Sequence, residues 1–392
     1  MKRFCAVVLA LLLCFACGCT KIENKGPAGS EKETTTKREL SEAEKVLAGM
    51  TVEEKVAQLF FVRPDCLDKT ILAEELVDPY APGVTSLTSE MKEFYSEYPV
   101  GGFCLFGKNI VDPEQLKSFC ADLHSLNVIT PLIATDEEGG RVTRIAGNKN
   151  FEVTWFPDMQ SIAETGNTDN AYSVGKTIGG YLNEYGIDID LAPVADVNTN
   201  PDNPIIGNRA FGGNPQVAAD MVSASVSGFH SAGTFCCLKH YPGHGDTDTD
   251  THYGYAKTDK TWDELMSCEL IPFKAGIDAG ADIVMVAHIS CPSVTGDETP
   301  ATLSPEIIGR LRSELGFTGL IATDDLSMGA ITNEYTPGEA CVLAFSAGCD
   351  MLLLSSHFPE SYAGVLAAVN DGTISMDRLD SSVLRIIEMK LK

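Results

Sequence analysis

Residues 235–252 read FCCLKHYPGHGDTDTDTH, and this stretch organises the rest of the chain. Its first four residues are apolar and predict a buried strand. Pro242, Gly243 and Gly245 then end the regular structure, so the strand must continue into an irregular loop. The stretch from Lys239 onwards contains one lysine, three histidines and three aspartates. So many titratable groups in a rigid setting after a strand indicate a functional loop.

Seven other apolar segments resemble the one that opens this stretch, and helical patterns alternate with them. The eight predicted strands are residues 59–62, 100–106, 131–135, 187–193, 235–238, 282–287, 319–323 and 350–354. Alternation of this kind predicts an α/β fold, and eight strands favour a single (β/α)8 TIM barrel over a doubly wound sheet. We therefore expect one catalytic-type domain over residues 39–392.

The first 38 residues have a different composition. Residues 1–3 are basic, residues 6–15 are apolar, and small residues lead up to Cys19. The apolar run is too short to span a bilayer, and the layout predicts a secretory signal. The sequence before Cys19 resembles the bacterial lipoprotein cleavage box. It implies a signal peptide over 1–18, a lipid on Cys19, a flexible tether over 19–38 and an extracytoplasmic protein anchored to the cell membrane; a plain secretion signal is the alternative.

The charge and the cysteines restrict the class of partner. Lys and Arg number 29 against 55 Asp and Glu, a formal net charge of -26, which argues against nucleic acid as a partner. Nine of the 13 cysteines lie beyond the leader, scattered and without a CxxC pair. They indicate buried free thiols in place of a disulfide framework or a cysteine zinc site. We expect a monomer without a cofactor.

Polar residues follow the predicted strands at the ends where TIM barrels place their active sites. Each has an ordinary structural explanation, such as a helix cap, a surface ion pair or a core histidine. Together, at one rim, they predict a shared pocket. The residues in question are Asp136, Arg144, Arg209, Lys239, His240, His288, Asp324 and Asp325.

The chemistry that this pocket allows is hydrolysis of a polyhydroxylated substrate. A carboxylate beside Lys and Arg keeps a low pKa and remains ionised, as a nucleophile must. The residues alone leave Asp324 and Asp325 equally eligible. In the unit Asp250-Thr251-His252 the aspartate favours the imidazolium, so that His252 can donate a proton and later accept one.

A metal site is the rival interpretation of the same loop. Residues 246–250, DTDTD, resemble the start of a calcium loop, but Thr251 and Lys257 occupy the positions that require Gly and Glu. Four side chains of the loop could ligate zinc, although their spacing fits no ligand box: His244, Asp248, Asp250 and His252. We therefore predict that no metal takes part in catalysis.

Four ordered motifs give the chain a resemblance to glycoside hydrolase family three. They are DEEGGRV at 136–142, GNRAFG at 207–212, KHYPGHGD at 239–246 and TDDLSM at 323–328. Ala210 stands where the family usually has serine. The resemblance extends from about Leu40 to the C-terminus and implies the TIM barrel independently of the strand pattern.

The resemblance also assigns roles to residues. It implies that Asp324 is the nucleophile. The unit at 250–252 resembles the Asp-Ser-His of the β-N-acetylglucosaminidase branch, with Thr251 replacing serine, and implies His252 as general acid/base oriented by Asp250. The residues implied to bind the sugar are Asp136, Arg144, Arg209, Lys239 and His240.

The function that this resemblance implies is a retaining, exo-acting β-N-acetylhexosaminidase. It would release terminal N-acetylglucosamine from cell-wall glycosides such as muropeptides, in peptidoglycan turnover. The chain ends with the barrel and shows no further α/β domain of the kind common in family glucosidases and xylosidases, which favours this branch. The alternatives are another β-glycosidase, a non-catalytic sugar-binding lipoprotein and a metal-dependent hydrolase.

Overall fold

The structure is a computed structural model that describes residues 39–127, 129–248, 256–355 and 357–392. The predicted leader, tether and Cys19 lie outside these ranges, as do Asp250 and His252. Residues 40–392 form one compact unit. In the described ranges, no helix is both long and apolar enough to cross a membrane.

Ten short strands are described. They are β1 Phe60–Val62, β2 Gly102–Leu105, β3 Leu132–Thr135, β4 Ile189–Asp190, β5 Phe235–Tyr241, β6 Ala256–Lys257, β7 Ile283–Val286, β8 Ile289–Ser290, β9 Leu320–Thr323 and β10 Leu352–Leu353. Eight of them pair in parallel in the order β10-β1-β2-β3-β4-β5-β7-β9. A parallel bridge between Ala322 and Met351 joins the two edges of this sheet. The predicted eight-stranded TIM barrel is therefore confirmed, and β6 and β8 form a separate parallel pair.

Helices cover the outside of the barrel and alternate with its strands. They are α1 Glu42–Gly49, α2 Val52–Gln58, α3 Ala73–Val77, α4 Ser89–Glu97, α5 Pro113–His124, α6 Met159–Glu164, α7 Thr168–Tyr185, α8 Pro215–Ser231, α9 Trp262–Ser267, α10 Leu270–Asp278, α11 Pro292–Thr295, α12 Pro305–Ser313, α13 Gly329–Thr332, α14 Pro337–Ala347, α15 Phe358–Asn370 and α16 Met376–Lys390. Single 3-10 turns lie at Pro64–Leu67, Gly107–Asn109, Gly207–Arg209 and Ala301–Leu303.

The residues that follow β6 form two helices in place of one. The sequence pattern of residues 262–279 predicts one continuous helix, which is wrong, because the chain forms α9 and α10 with a break at Cys268, whose φ is -141°. The break brings Glu269, which is fully buried, against the loop that follows β5. A Cβ on Gly243 of that loop would lie only 2.7 Å from the Glu269 side chain, so this contact requires glycine.

The N-terminal ends of the barrel strands are fastened by aspartates. Three aspartates each lie just before a strand. Each accepts a hydrogen bond from a backbone N–H of the preceding strand of the barrel. The bonds join Ile133 to Asp188 (2.7 Å), Cys236 to Asp282 (3.2 Å) and Ile321 to Asp350 (3.0 Å). This repeated arrangement occupies the end of the barrel opposite to the predicted pocket.

Helices α7 and α8 pack closely beside β4 and β5. A Cβ on Gly175 would lie 2.3 Å from the Ser225 carbonyl oxygen, and one on Gly228 would lie 2.2 Å from the Tyr172 carbonyl oxygen. The two helix backbones can approach this closely only because neither position has a side chain. The nine cysteines beyond the leader are all free, seven of them buried, as the sequence predicted.

Candidate active site

A cavity of about 230 Å³ opens at the C-terminal ends of the barrel strands. Seven of the eight predicted rim residues line it: Asp136, Arg144, Arg209, Lys239, His240, Asp324 and Asp325. The structure therefore brings together residues that are almost 190 positions apart in the sequence. Two further lining residues, for which no sugar-binding or catalytic role was predicted, are Glu138 and His244.

Lys239, within β5, lies at the floor of the cavity. Its Nζ is 2.7 Å from Asp136 Oδ1 and 2.6 Å from Glu138 Oε1, and the side chain is only 3% exposed. Burial alone would lower the pKa of Lys239, but the two carboxylates outweigh it and the pKa is raised. Lys239 is therefore a fixed cation that can donate hydrogen bonds and cannot serve as a base.

Glu138 connects Lys239 to Arg209, which lies in the segment after β4. Arg209 binds it through two parallel hydrogen bonds, Nε to Oε2 at 2.9 Å and NH2 to Oε1 at 2.7 Å. Burial would raise the pKa of Glu138, but Arg209 and Lys239 hold it far below the usual range. Such a bidentate pair fixes the orientation of the guanidinium as well as its position. The sequence contained a signal for Glu138, since it lies two residues beyond Asp136 on the same strand end.

Asp136 and Arg144 form the side of the cavity next to Phe106. Arg144 NH2 lies 3.2 Å from Asp136 Oδ2, and the guanidinium stands over the Phe106 ring at 5.5 Å. Within the part of the chain that the structure describes, Arg144 Nε is buried without a hydrogen-bond partner. A buried donor of this kind is costly unless a ligand satisfies it, so Arg144 Nε is available to a ligand oxygen in the cavity.

Asp196, which follows the fourth predicted strand, orients His240. Its Oδ2 lies 2.7 Å from His240 Nδ1, and its Oδ1 accepts the backbone N–H of His244 at 2.6 Å. Burial would raise the pKa of Asp196, but His240 outweighs it and the pKa is lowered. Because Asp196 engages Nδ1, the other ring nitrogen, Nε2, is directed towards Arg209, whose NH2 is 3.5 Å away.

The two neighbouring aspartates after β9 differ in their surroundings. Asp325 is engaged by Arg63 NH2 at 2.7 Å and by the Ser327 backbone N–H at 2.7 Å. Within the described ranges, the Asp324 carboxylate accepts one hydrogen bond, from the backbone N–H of Asp325 to Oδ1 at 2.8 Å. Burial would raise the pKa of Asp324, but nearby His240 and His288 lower it below the usual value. The geometry thus favours Asp324 as the available anion, a distinction that composition could not make.

His288, one of the predicted rim residues, has a supporting position. It is fully buried, with Nδ1 2.9 Å from Thr302 Oγ1 and Nε2 2.9 Å from the Asp325 carbonyl oxygen. It therefore holds the strand end that carries the two aspartates. The ordinary interpretation, a satisfied core histidine, describes it better than a direct contact with substrate.

Glu137 shapes the loop that carries Arg144. It is fully buried, and its two side-chain oxygens together accept four hydrogen bonds. The donors are the backbone N–H groups of Arg144 (2.6 Å), Ile145 (2.9 Å) and Ala146 (2.8 Å) and the Tyr181 hydroxyl (2.8 Å). Glu137 thus has a structural role between two residues that face the cavity.

The described residues on either side of positions 249–255 are joined to each other. Asp246 Oδ2 accepts a hydrogen bond from the Thr258 hydroxyl at 3.2 Å, and Lys260 Nζ lies 3.2 Å from Asp246 Oδ1. Lys260 also binds the buried Glu269 at 2.5 Å. The predicted roles of Asp250 and His252 lie outside the described residues and remain predictions.

Comparison with known proteins agrees with this geometry. A family model described as the glycosyl hydrolase family 3 N-terminal domain matches residues 51–389. β-Hexosaminidase A of Pseudoalteromonas piscicida is 34% identical over 79% of this chain and 56% of its own length. The β-hexosaminidase of Stenotrophomonas maltophilia is also 34% identical, over 74% of this chain and 86% of its own.

A solved structure extends the similarity to the fold. The family 3 β-N-acetylglucosaminidase of Paenibacillus sp. FPU-7 superposes with a TM-score of 0.79 at 35% identity, covering 88% of this chain and 62% of that one. The chain therefore spans somewhat less than two thirds of two of these relatives. The similarity covers the whole described barrel, including every strand end that contributes to the cavity.

Proposed function

The chain belongs to glycosyl hydrolase family 3, and on this premise we propose that it is a retaining, exo-acting β-N-acetylhexosaminidase that releases terminal N-acetylglucosamine. The names of its relatives support the sugar specificity. The observation that carries the proposal is the state of Asp324: a partly buried carboxylate with a lowered pKa that lines a cavity of fixed hydrogen-bonding groups. An ionised, incompletely engaged carboxylate is what a nucleophile requires.

In the first chemical step Asp324 attacks the anomeric carbon and forms an ester bond with it. The bond to the leaving oxygen breaks, and that oxygen receives a proton from His252. In the second step a water molecule gives a proton back to His252 and attacks the same carbon, which releases Asp324 and the sugar. Two displacements at one carbon retain the β configuration.

The proposed acid/base, His252 oriented by Asp250, replaces the second carboxylate of most glycosidases. Its support is the sequence unit at 250–252 and the described residues on either side of it. His244, a few residues before the unit, lines the cavity, and Asp246 joins Thr258 across the ends of the segment.

The remaining groups suit recognition of one sugar ring. Lys239, Arg209 and Arg144 offer donors, and Asp136 offers acceptor oxygens, an alternation that fits vicinal hydroxyl groups. The cavity volume, about 230 Å³, is below the range of about 300–1,000 Å³ that holds drug-sized ligands. A cavity for a single ring supports removal of terminal residues, which is exo action.

The biological setting is proposed from the leader alone. Lipidation at Cys19 would hold the enzyme, as a monomer, on the outer side of the cell membrane, where cell-wall fragments carry N-acetylglucosamine. Growth in a medium containing radiolabelled palmitate would label the wild-type chain and leave Cys19→Ala unlabelled. Label in both chains, or in neither, would refute the anchor.

The test of the activity uses a chromogenic 4-nitrophenyl β-N-acetylglucosaminide. Asp324→Ala should abolish turnover, whereas Asp278→Ala, which removes an exposed carboxylate on α10, should not change it. Near-normal activity of Asp324→Ala would overturn the assignment. His252→Ala should slow substrates with poor leaving groups far more than activated aryl ones, and equal losses would argue against His252 as the acid.

Further assays on the purified wild-type protein distinguish the alternative functions. A panel of aryl β-glycosides on which the glucoside or xyloside is the best substrate would indicate another β-glycosidase. Tight binding of N-acetylglucosamine without hydrolysis would indicate a sugar-binding protein. Loss of turnover on chelation would indicate a metal-dependent hydrolase.

A further inference from the structure

Three potential metal ligands converge at the end of the barrel opposite to the cavity. His230 Nε2 lies 2.8 Å from Asp282 Oδ2, and Cys236 Sγ lies 3.9 Å from each of these atoms. His230 comes from the last turn of α8, Cys236 from β5 and Asp282 from the residue before β7. Their three donor atoms all lie within 4.8 Å of one another. Among the described residues, no other group of three His, Cys, Asp or Glu side chains comes as close together.

We propose that His230, Cys236 and Asp282 form a structural site for Zn²⁺, or for a metal ion of similar preference. Tetrahedral zinc with bonds of about 2.3 Å to sulfur and about 2.0–2.1 Å to nitrogen and oxygen separates its ligand atoms by roughly 3.3–3.6 Å. The observed separations of 2.8, 3.9 and 3.9 Å bracket these values. Shifts of about half an ångström, within the reach of side-chain torsions, would therefore complete the geometry.

The barrel contains a matched arrangement that lacks the thiol. His124, in the last turn of α5, lies 2.9 Å from Asp188, which accepts the backbone N–H of Ile133. His230 and Asp282 repeat this pattern, but the residue that donates the backbone N–H is Cys236. A histidine–aspartate pair without a cysteine is thus explained as a link between a helix and a strand. At His230 and Asp282, the Cys236 thiol adds a third potential metal ligand to the pair.

A fourth ligand can come from solvent. The His230 side chain is 35% exposed, and Asp282 lines an open cavity of about 350 Å³ at this end of the barrel. A water molecule in this cavity would complete a tetrahedral set of three protein ligands. The site is at the strand beginnings, far from the cavity at the strand ends, so a metal here would join α8, β5 and β7 and take no part in glycoside hydrolysis.

The charges of these side chains suit a divalent cation. Thiolate and carboxylate together neutralise a divalent ion, while Lys392, close to His230, opposes it. Because the thiolate is the form of cysteine that ligates a metal, binding displaces the proton of the Cys236 thiol into solvent.

The test uses Co²⁺ as a spectroscopic probe in the zinc site of the purified chain. Wild-type protein should show a sulfur-to-cobalt charge-transfer band in the near ultraviolet, and Zn²⁺ should displace it and raise the unfolding temperature. Cys236→Ser should lack the band. His230→Ala, at a half-exposed position, should weaken binding without affecting folding. Turnover of the aryl glycoside, which these positions do not contact, checks that each variant is folded.

Two matched controls make the result specific. Cys268→Ser removes a partly exposed thiol outside the proposed site, and His124→Ala removes the histidine of the pair without sulfur. Both should keep the band. The proposal is overturned if wild-type protein shows no thiolate band with excess Co²⁺, if the band persists in Cys236→Ser, or if either control loses it.

Discussion

Replacing Glu138 by glutamine tests how the cation cluster at the cavity is held. The Glu138 side chain is 1% exposed and binds both Arg209 and Lys239. Glutamine keeps the shape but removes the charge. Arg209 then lies buried beside a neutral group, while Lys239 retains Asp136 at 2.7 Å. The change therefore breaks one buried pair fully and the other in part.

Breaking a buried ion pair from one side costs about 3–5 kcal/mol. Since Lys239 keeps one carboxylate, we expect the lower end, about 3 kcal/mol of the free energy of unfolding at neutral pH. The pKa of Glu138 is lowered in the folded state, so its contribution is fully present above the unfolded value of about 4.3 and is lost as the pH falls further. The difference between wild type and variant should accordingly shrink in acid.

Urea denaturation monitored by fluorescence measures this difference. The matched control is Glu184→Gln, which breaks the exposed pair with Lys117, whose side chains are 47% and 63% exposed. That pair should be worth about 0–1 kcal/mol. Glu138→Gln should also raise KM for the aryl glycoside, because Arg209 loses its orientation. Equal stability changes in the two variants, or a difference that grows in acid, would refute the reasoning.

Three further changes have defined outcomes. Gly175→Ala should destabilise the chain by about 1–3 kcal/mol because α8 lies against that position, whereas Gly180→Ala, on the same helix with open space around it, should stabilise by up to about 1 kcal/mol; urea denaturation compares them. Burial lowers the pKa of Lys390 to about 7, so between about pH 7 and pH 10 the folded state binds fewer protons than the unfolded state, and below pH 7 the buried charge destabilises the folded state fully. Lys390→Met should therefore melt above wild type near pH 6, with a gap that narrows as the pH rises; a constant gap would contradict this. Lys260→Met should slow glycosides with poor leaving groups by up to about 100-fold and activated aryl glycosides less, because it loosens Asp246; Lys257→Met, at an exposed position, should not.

The barrel could be predicted because its strands are short, apolar and separated by helices. Each of the eight predicted strands overlaps an observed one, since burial on both faces leaves an apolar run in the sequence. The break at Cys268 could not be predicted, because it depends on Glu269 packing against a loop 26 positions away in the sequence. Local helix preference was overridden there by a tertiary contact.

The site residues that directly follow a barrel strand could be predicted from the sequence. Arg63 follows β1 directly and binds Asp325, so the same rule that found Asp324 should have included it. Asp196 follows the fourth strand, but its pairing with His240 could not be predicted, because two residues 44 positions apart share no local pattern. The sequence thus identifies which residues reach the rim, whereas the pairing among them depends on three-dimensional contacts.

The most direct test of the account is to trap the glycosyl-enzyme. Incubation with a 5-fluoro-N-acetylglucosaminyl fluoride, which slows the second step, should add one sugar to the intact chain, and peptide mass spectrometry should locate it on Asp324. The Asp324→Asn variant should remain unlabelled. A label on Asp325 or Asp136, or steady turnover with inversion of configuration and no labelled protein, would contradict the account.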